Sequence, residues 1–153
     1  MHTLNLKPNH KPVRAYYDAL KQYELINISH ETAVRAAFQN LLESCSRQFN
    51  WTLVLEWEVK RPRLRPVRVD GALVDAFRLT HGFWEAKDQR DDLAKEVKKK
   101  FAIGYPQDNI LFQAPERAIL YQNGRQVADE DITNRITSSA RSRGPTTRNT
   151  SCA

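Results

Sequence analysis

Glu85, Ala86 and Lys87 lie in the run Phe83-Trp84-Glu85-Ala86-Lys87-Asp88, which otherwise reads as a half-buried β-strand, and two acids, Asp70 and Asp75, lie on the segment before it. Alternate side chains of a strand share a face, so Glu85 and Lys87 project together while Trp84 and Ala86 point the other way. An acid from the neighbouring strand would complete a cluster of two carboxylates and one ammonium. Two carboxylates at close range repel, and burying them is costly without a counter-charge. A hard divalent cation, Mg2+ or Mn2+, supplies that charge. It takes one or two carboxylates together with waters and phosphate oxygens, and it can activate a water or stabilise a leaving oxygen. Lys87 would then orient the attacking water or stabilise the charge that builds on the phosphoryl oxygens. Taken alone, a Glu-x-Lys triplet is weak evidence, because cross-strand ion pairs are common.

The register of the hairpin decides which aspartate joins the cluster. If Thr80-His81-Gly82 is a three-residue turn with Gly82 left-handed, Leu79 pairs with Phe83, Phe77 with Glu85 and Asp75 with Lys87. Asp75 then stands beside Glu85 as a metal ligand. A two-residue His81-Gly82 turn would shift the register by one and send Asp75 to the other face. Asp70 lies beyond the pairing range of so short a turn, and joins only through a bulge or a bend near Gly71.

Other elements must position this cluster. Residues 31–47 read as a helix with Val34, Phe38, Leu41, Leu42 and Cys45 along one stripe, and Glu31, three residues before Val34, falls on the same inward face. Glu31 also suits a helix N-terminus through the macrodipole. The helix would pack on a strand over 51–59, where Trp51, Leu53, Leu55, Trp57 and Val59 alternate with more polar positions. A further helix over 13–26 carries Tyr16, Leu20 and Tyr23 on one side. After the hairpin comes a helix with Asp91 and Asp92 near its start, Leu93, Val97 and Phe101 inward, and Lys95, Lys98, Lys99 and Lys100 mostly on its wet face; Gly104 and Pro106 end it. Residues 109–113 and 118–122 are short apolar strands, and Asn123-Gly124 marks a tight turn. Gln113 could sit near the cluster, although nothing in the sequence obliges it.

The order of these elements resembles the PD-(D/E)XK nuclease superfamily. The wording is similar to the N-terminal, Mrr-like nuclease domain of type ISP restriction-modification enzymes, which fuse nuclease, helicase and methyltransferase in one chain. The matching segments are Arg68-Val69-Asp70-Gly71, Trp84-Glu85-Ala86-Lys87-Asp88, the acidic-to-basic helix over 91–100, Gly104-Tyr105-Pro106 and Leu120-Tyr121-Gln122-Asn123-Gly124. Val69 stands where the superfamily's name has proline. The resemblance implies an α/β fold with a mixed sheet of four or five strands flanked by helices, and Mg2+- or Mn2+-dependent hydrolysis of double-stranded DNA. It assigns Glu85 as a metal ligand, Lys87 as the water-orienting residue and Glu31 as an outer acid. For the motif aspartate it favours Asp70, in an Asp-Gly pair, where the hairpin geometry favours Asp75. Helicase and methyltransferase regions are the partners it implies. Neither a Walker-type loop nor an Asn-Pro-Pro-Tyr segment occurs here, so a truncated reading frame is expected.

Composition agrees with a single cytoplasmic domain whose charge favours polyanionic partners. The net charge is +6 over 153 residues, and no apolar run approaches membrane-spanning length. Arg61, Arg63, Arg65 and Arg68 crowd a connection interrupted by Pro62 and Pro66, where guanidiniums could hold a phosphate backbone without reading sequence. Cys45 lies on a helix stripe and Cys152 near the end, so no disulfide is expected. None of the four histidines has metal-ligand spacing, and His81 is a turn residue. The expected organisation is an extension over 1–12, a nuclease-like domain over 13–134 and a disordered Ser/Thr/Arg-rich tail over 135–153.

Overall fold

The structure, a computed structural model, describes residues 6–7, 9–28, 31–88 and 92–133. The expected tail, Asp91, Cys152 and the side chain of Glu31 lie outside the described residues. Three helices, α1 (Lys11–Leu25), α2 (Glu31–Ser46) and α3 (Leu93–Ala102), accompany six strands: β1 (Thr52–Arg61), β2 (Leu64–Val74), β3 (Thr80–Ala86), β4 (Asn109–Ala114), β5 (Arg117–Gln122) and β6 (Arg125–Asp131). They form one sheet in the order β1-β2-β3-β4-β5-β6. Every neighbouring pair is antiparallel except β3 and β4, which run parallel because α3 carries the chain back between them. The mixed α/β expectation holds, with six strands where four or five were expected. The additional strand β6 is almost wholly polar and exposed, so it has no apolar alternation to betray it; its charges suit a sheet edge.

Each face of the sheet is closed by helices. Tyr16 of α1 and Ala37 and Phe38 of α2 pack with Trp84 and Ala86. On the other face Leu93 and Val97 of α3 pack with Val67, Val69, Ile110, Phe112 and Ile119. β3 serves both layers, as its alternation requires. α1 begins with Pro12 in its first turn, where a missing N–H costs nothing. α3 is capped by Asp92, which accepts a 3.4 Å hydrogen bond from the Lys95 N–H, and Lys99 and Lys100 oppose the dipole at its end. Gly104 follows at φ +97°; a Cβ there would overlap the Arg61 guanidinium.

The hairpin register differs from the expected one. Gly71 pairs with Trp84, Ala72 with Phe83, Leu73 with Gly82 and Val74 with Thr80. Thr80, His81 and Gly82 therefore belong to β3, and the turn is the five residues from Asp75 to Leu79. Asp75 closes it: its Oδ1 accepts from the N–H groups of Phe77 (2.8 Å) and Leu79 (3.0 Å), and its Oδ2 lies 2.9 Å from Nε2 of His81. His81, expected in a turn, instead stacks on Trp51 at 4.3 Å between ring centroids.

The longer turn lets the ladder reach Gly71, and there both strands bend. Glu56 of β1 has φ +52°, opposite Asp70 between the pairs Leu55–Gly71 and Trp57–Val69. On one side of this break Val67, Val69, Trp57 and Val59 face α3. On the other, Gly71 lies against Trp84 and Leu53; a Cβ would sit 2.9 Å from Leu53 Cδ1 and 3.1 Å from Trp84 Cε3. Leu55, expected in the apolar stripe of its strand, stands next to this break and is 40 % exposed. The arginine-rich segment forms the end of β1, the tip of the β1–β2 hairpin and the start of β2, which pairs there with β1; β3 joins from Gly71. Pro66 is tolerated on that half.

Candidate functional site

Where β2 and β3 part, side chains replace the ladder. The Asp70 N–H donates to Oε2 of Glu85 at 3.2 Å, and Oδ2 of Asp70 accepts from the Ala86 N–H at 2.8 Å. Each strand thus gives the other a carboxylate in place of a backbone carbonyl, and the two acids are locked across the fork. Asp70 is the aspartate brought to Glu85 and Lys87. Asp75 is not: it stands five residues further along, about 16 Å away at strand rise, engaged in its turn. The expected pairing of Asp75 with Lys87 fails because Asp75 itself, rather than Gly82, shapes the turn.

The two faces of the sheet supply the surroundings. From the α3 side, Glu85 Oε1 receives two ammonium donors, Nζ of Lys100 at 2.9 Å and Nζ of Lys87 at 3.3 Å, and the hydroxyl oxygen of Tyr105 lies 3.3 Å from it. Lys100 also donates to Tyr105 at 3.0 Å, while the Tyr105 hydroxyl donates to the Arg68 carbonyl at 2.7 Å. Lys87 is held on its far side by Oε2 of Glu96 at 3.7 Å, and its N–H donates to the Gln113 carbonyl at 2.7 Å. From the α2 side, Nη2 of Arg35 lies 2.9 Å from Asp70 Oδ1 and 3.1 Å from Glu56 Oε1. Its guanidinium carbon also lies 5.9 Å from the Trp84 ring centroid.

Electrostatics follow from this packing. Burial and the adjacent Glu85 charge push the Asp70 carboxyl above its ordinary value, against the Ala86 N–H, Arg35 and Lys87, which pull it down. Burial lowers the affinity of Lys100 for its proton, but its bonds to Tyr105 and Glu85 outweigh this and raise the ammonium above the ordinary lysine range. Burial likewise raises the Tyr105 hydroxyl, which remains a donor. Asp75 runs the opposite way: its bond to His81 holds it below the usual carboxylate range.

Glu31 opens α2, and four residues on, one helical turn later, Arg35 reaches Asp70. The helix therefore approaches the cluster as expected, with a cation as its described contact. Lys100, Tyr105 and Glu96 lie outside the expected set. Lys100 had a signal, since it stands three residues after Val97 and seven after Leu93, on the inward side of α3. Tyr105 lies in the Gly-Tyr-Pro segment, with nothing local to indicate its reach. Gln113 is 1 % exposed; its Nε2 donates to the Ala114 carbonyl, and its Oε1 has no partner among the described residues. Of the four arginines, Arg61 is engaged: its guanidinium donates to the carbonyls of Arg65 and Ile103, tying the hairpin tip to the end of α3. Arg68 pairs with Glu58 at 3.0 Å. Arg63 and Arg65 are exposed.

The donor set suits a hard cation. Two carboxylates on adjacent strands offer oxygen ligands, and Mg2+ needs no more from a protein when waters and phosphate oxygens complete its shell. Among the described residues no group of three or more acid, histidine or cysteine side chains converges as a self-sufficient metal cage. None of the described helices is long and apolar enough to cross a membrane.

No protein-family model matches this chain, and no curated protein matches it. Among solved structures it is similar to a DrdV–DNA complex determined by cryo-electron microscopy, at 34 % identity and a TM-score of 0.76, over 85 % of this chain and 13 % of that one. The fold is thus restriction-enzyme-like, and the chain spans about an eighth of the length of the protein it resembles.

Proposed function

We propose that this domain hydrolyses DNA phosphodiesters with the help of a divalent cation, Mg2+ or Mn2+. The observation that carries the reading is the interlocked pair Asp70 and Glu85, with Lys87 3.3 Å from Glu85. Asp70 and Glu85 would hold the cation, which when bound supplies charge to activate a water and stabilise the leaving oxygen. The remaining work belongs to the chain. Lys100 and Tyr105 fix the Glu85 carboxylate, and Glu96 holds Lys87 between two acids so that its ammonium can meet a water or a phosphate oxygen. Arg63 and Arg65 on the β1–β2 tip would contact the DNA backbone without reading bases. Similarity to a protein solved with DNA supports the substrate class. The ordered motifs from Arg68 to Gly124 support the Mrr-like, type ISP assignment, with helicase and methyltransferase regions as partners in the longer enzyme.

Mg2+-dependent nicking of supercoiled plasmid, lost in Glu85→Ala, is the expected result. Nicking that survives Glu85→Ala, or wild-type protein inert in Mg2+ and Mn2+, overturns it. A second reading is an inert DNA-binding or assembly fragment, favoured by the neutralisation of both acids by Arg35, Lys87 and Lys100. It predicts salt-sensitive DNA binding indifferent to Mg2+ and to Glu85→Ala.

A further inference from the structure

We infer that Arg35 is a built-in counter-cation that occupies the α2 side of Asp70 and leaves it when a divalent ion arrives. The inference rests on the proposed cation site. Four acids, Asp70, Glu85, Glu96 and Glu56, are paired with four cations, Arg35, Lys87, Lys100 and Lys99, so a divalent ion enters a network whose charge is already balanced. One cation must retreat. Lys87 and Lys100 are 15 % and 18 % exposed and share Glu85, whereas Arg35 is 30 % exposed and is the cation in ion-pair contact with Asp70 among the described residues. Its Nη2 sits between Asp70 and Glu56, at 2.9 and 3.1 Å, where it does for these two carboxylates what a metal ion would do. Glu56 is 57 % exposed and lies on the outer side, so a guanidinium released by Asp70 keeps a partner there. Arg35 thereby sets the cation concentration at which the site fills.

The test is calorimetric titration of Mn2+ into the DNA-free 153-residue chain. Arg35→Gln removes the charge and keeps hydrogen-bonding capacity; it is expected to bind Mn2+ about tenfold more tightly than wild type, since a unit positive charge next to the ion is gone. Arg35→Lys keeps the charge and stays near wild type. The gain in Arg35→Gln should vanish when Asp70→Asn is added. Equal or weaker binding by Arg35→Gln, or a gain that survives Asp70→Asn, overturns the inference. If Asp70→Asn abolishes wild-type binding but Arg35→Gln gains nothing, only the role of Arg35 falls. If neither Asp70→Asn nor Glu85→Gln alters binding, the proposed cation site falls with it. Should Arg35→Gln fold poorly, wild-type protein gives the same answer: the Arg35 guanidinium resonance should shift as Mg2+ saturates, and a resonance unmoved at saturation refutes displacement.

Discussion

Asp70 and Asp75 are the same residue type on one segment, and their surroundings give them opposite tasks. Asp75 is held below the ordinary carboxylate range by His81, and its oxygens accept two backbone N–H groups in the turn. A carboxylate depressed in the fold stabilises the protein above the unfolded pKa of about 3.9, and that contribution is lost as pH falls through the folded value. Asp75→Asn should therefore leave cleavage intact and lower stability at pH 7, the difference from wild type shrinking below about pH 4; urea unfolding at both pH values reads this. Asp70→Asn should do the reverse, abolishing metal-supported cleavage in a plasmid assay while the hairpin stays folded. Equal loss of cleavage in both variants would refute the division. Lys87→Ala is expected to slow cleavage with less effect on Mn2+ affinity, because it removes transition-state charge stabilisation and leaves both carboxylates.

Among the elements, the β1–β2 hairpin separates a structural arginine from exposed ones. Arg61→Ala removes donors to two carbonyls and should cost about 1 kcal/mol in urea unfolding. Arg63→Ala with Arg65→Ala should leave stability unchanged, weaken binding to all DNA sequences alike and flatten the salt dependence by about two phosphate equivalents. An unchanged salt slope removes the tip from the DNA interface. Gly71 is fixed by space and not by backbone angle, since a Cβ would press on Leu53 and Trp84. Gly71→Ala should cost about 1–3 kcal/mol and disturb the fork that holds Asp70.

Across the whole molecule, the sheet places each acid between two helical layers: α2 reaches Asp70 from one side and α3 reaches Glu85 from the other. Trp84, 1 % exposed between these acids in sequence, packs on Phe38 at 6.0 Å between ring centroids and joins α1 and α2 to the sheet. Trp84→Ala should cost about 3–5 kcal/mol, and the site should be lost together with the fold in a single thermal transition. A separate loss of metal binding well below the melting temperature would show that α2 docks independently.

Periodicity alone placed Glu85 and Lys87 on one face with Trp84 and Ala86 on the other, because a strand's alternation depends only on its own backbone. The apolar spacing also located the three helices and the apolar strands. The identity of the aspartate beside Glu85 was decided by the register between two strands, and the register by a five-residue turn that Asp75 closes with its own side chain. That competition between turn geometries leaves no distinct local mark. Arg35, Lys100 and Tyr105 reach the site only because α2 and α3 dock on opposite faces of the fork. Such convergence is a property of the packed layers, and no single segment carries it.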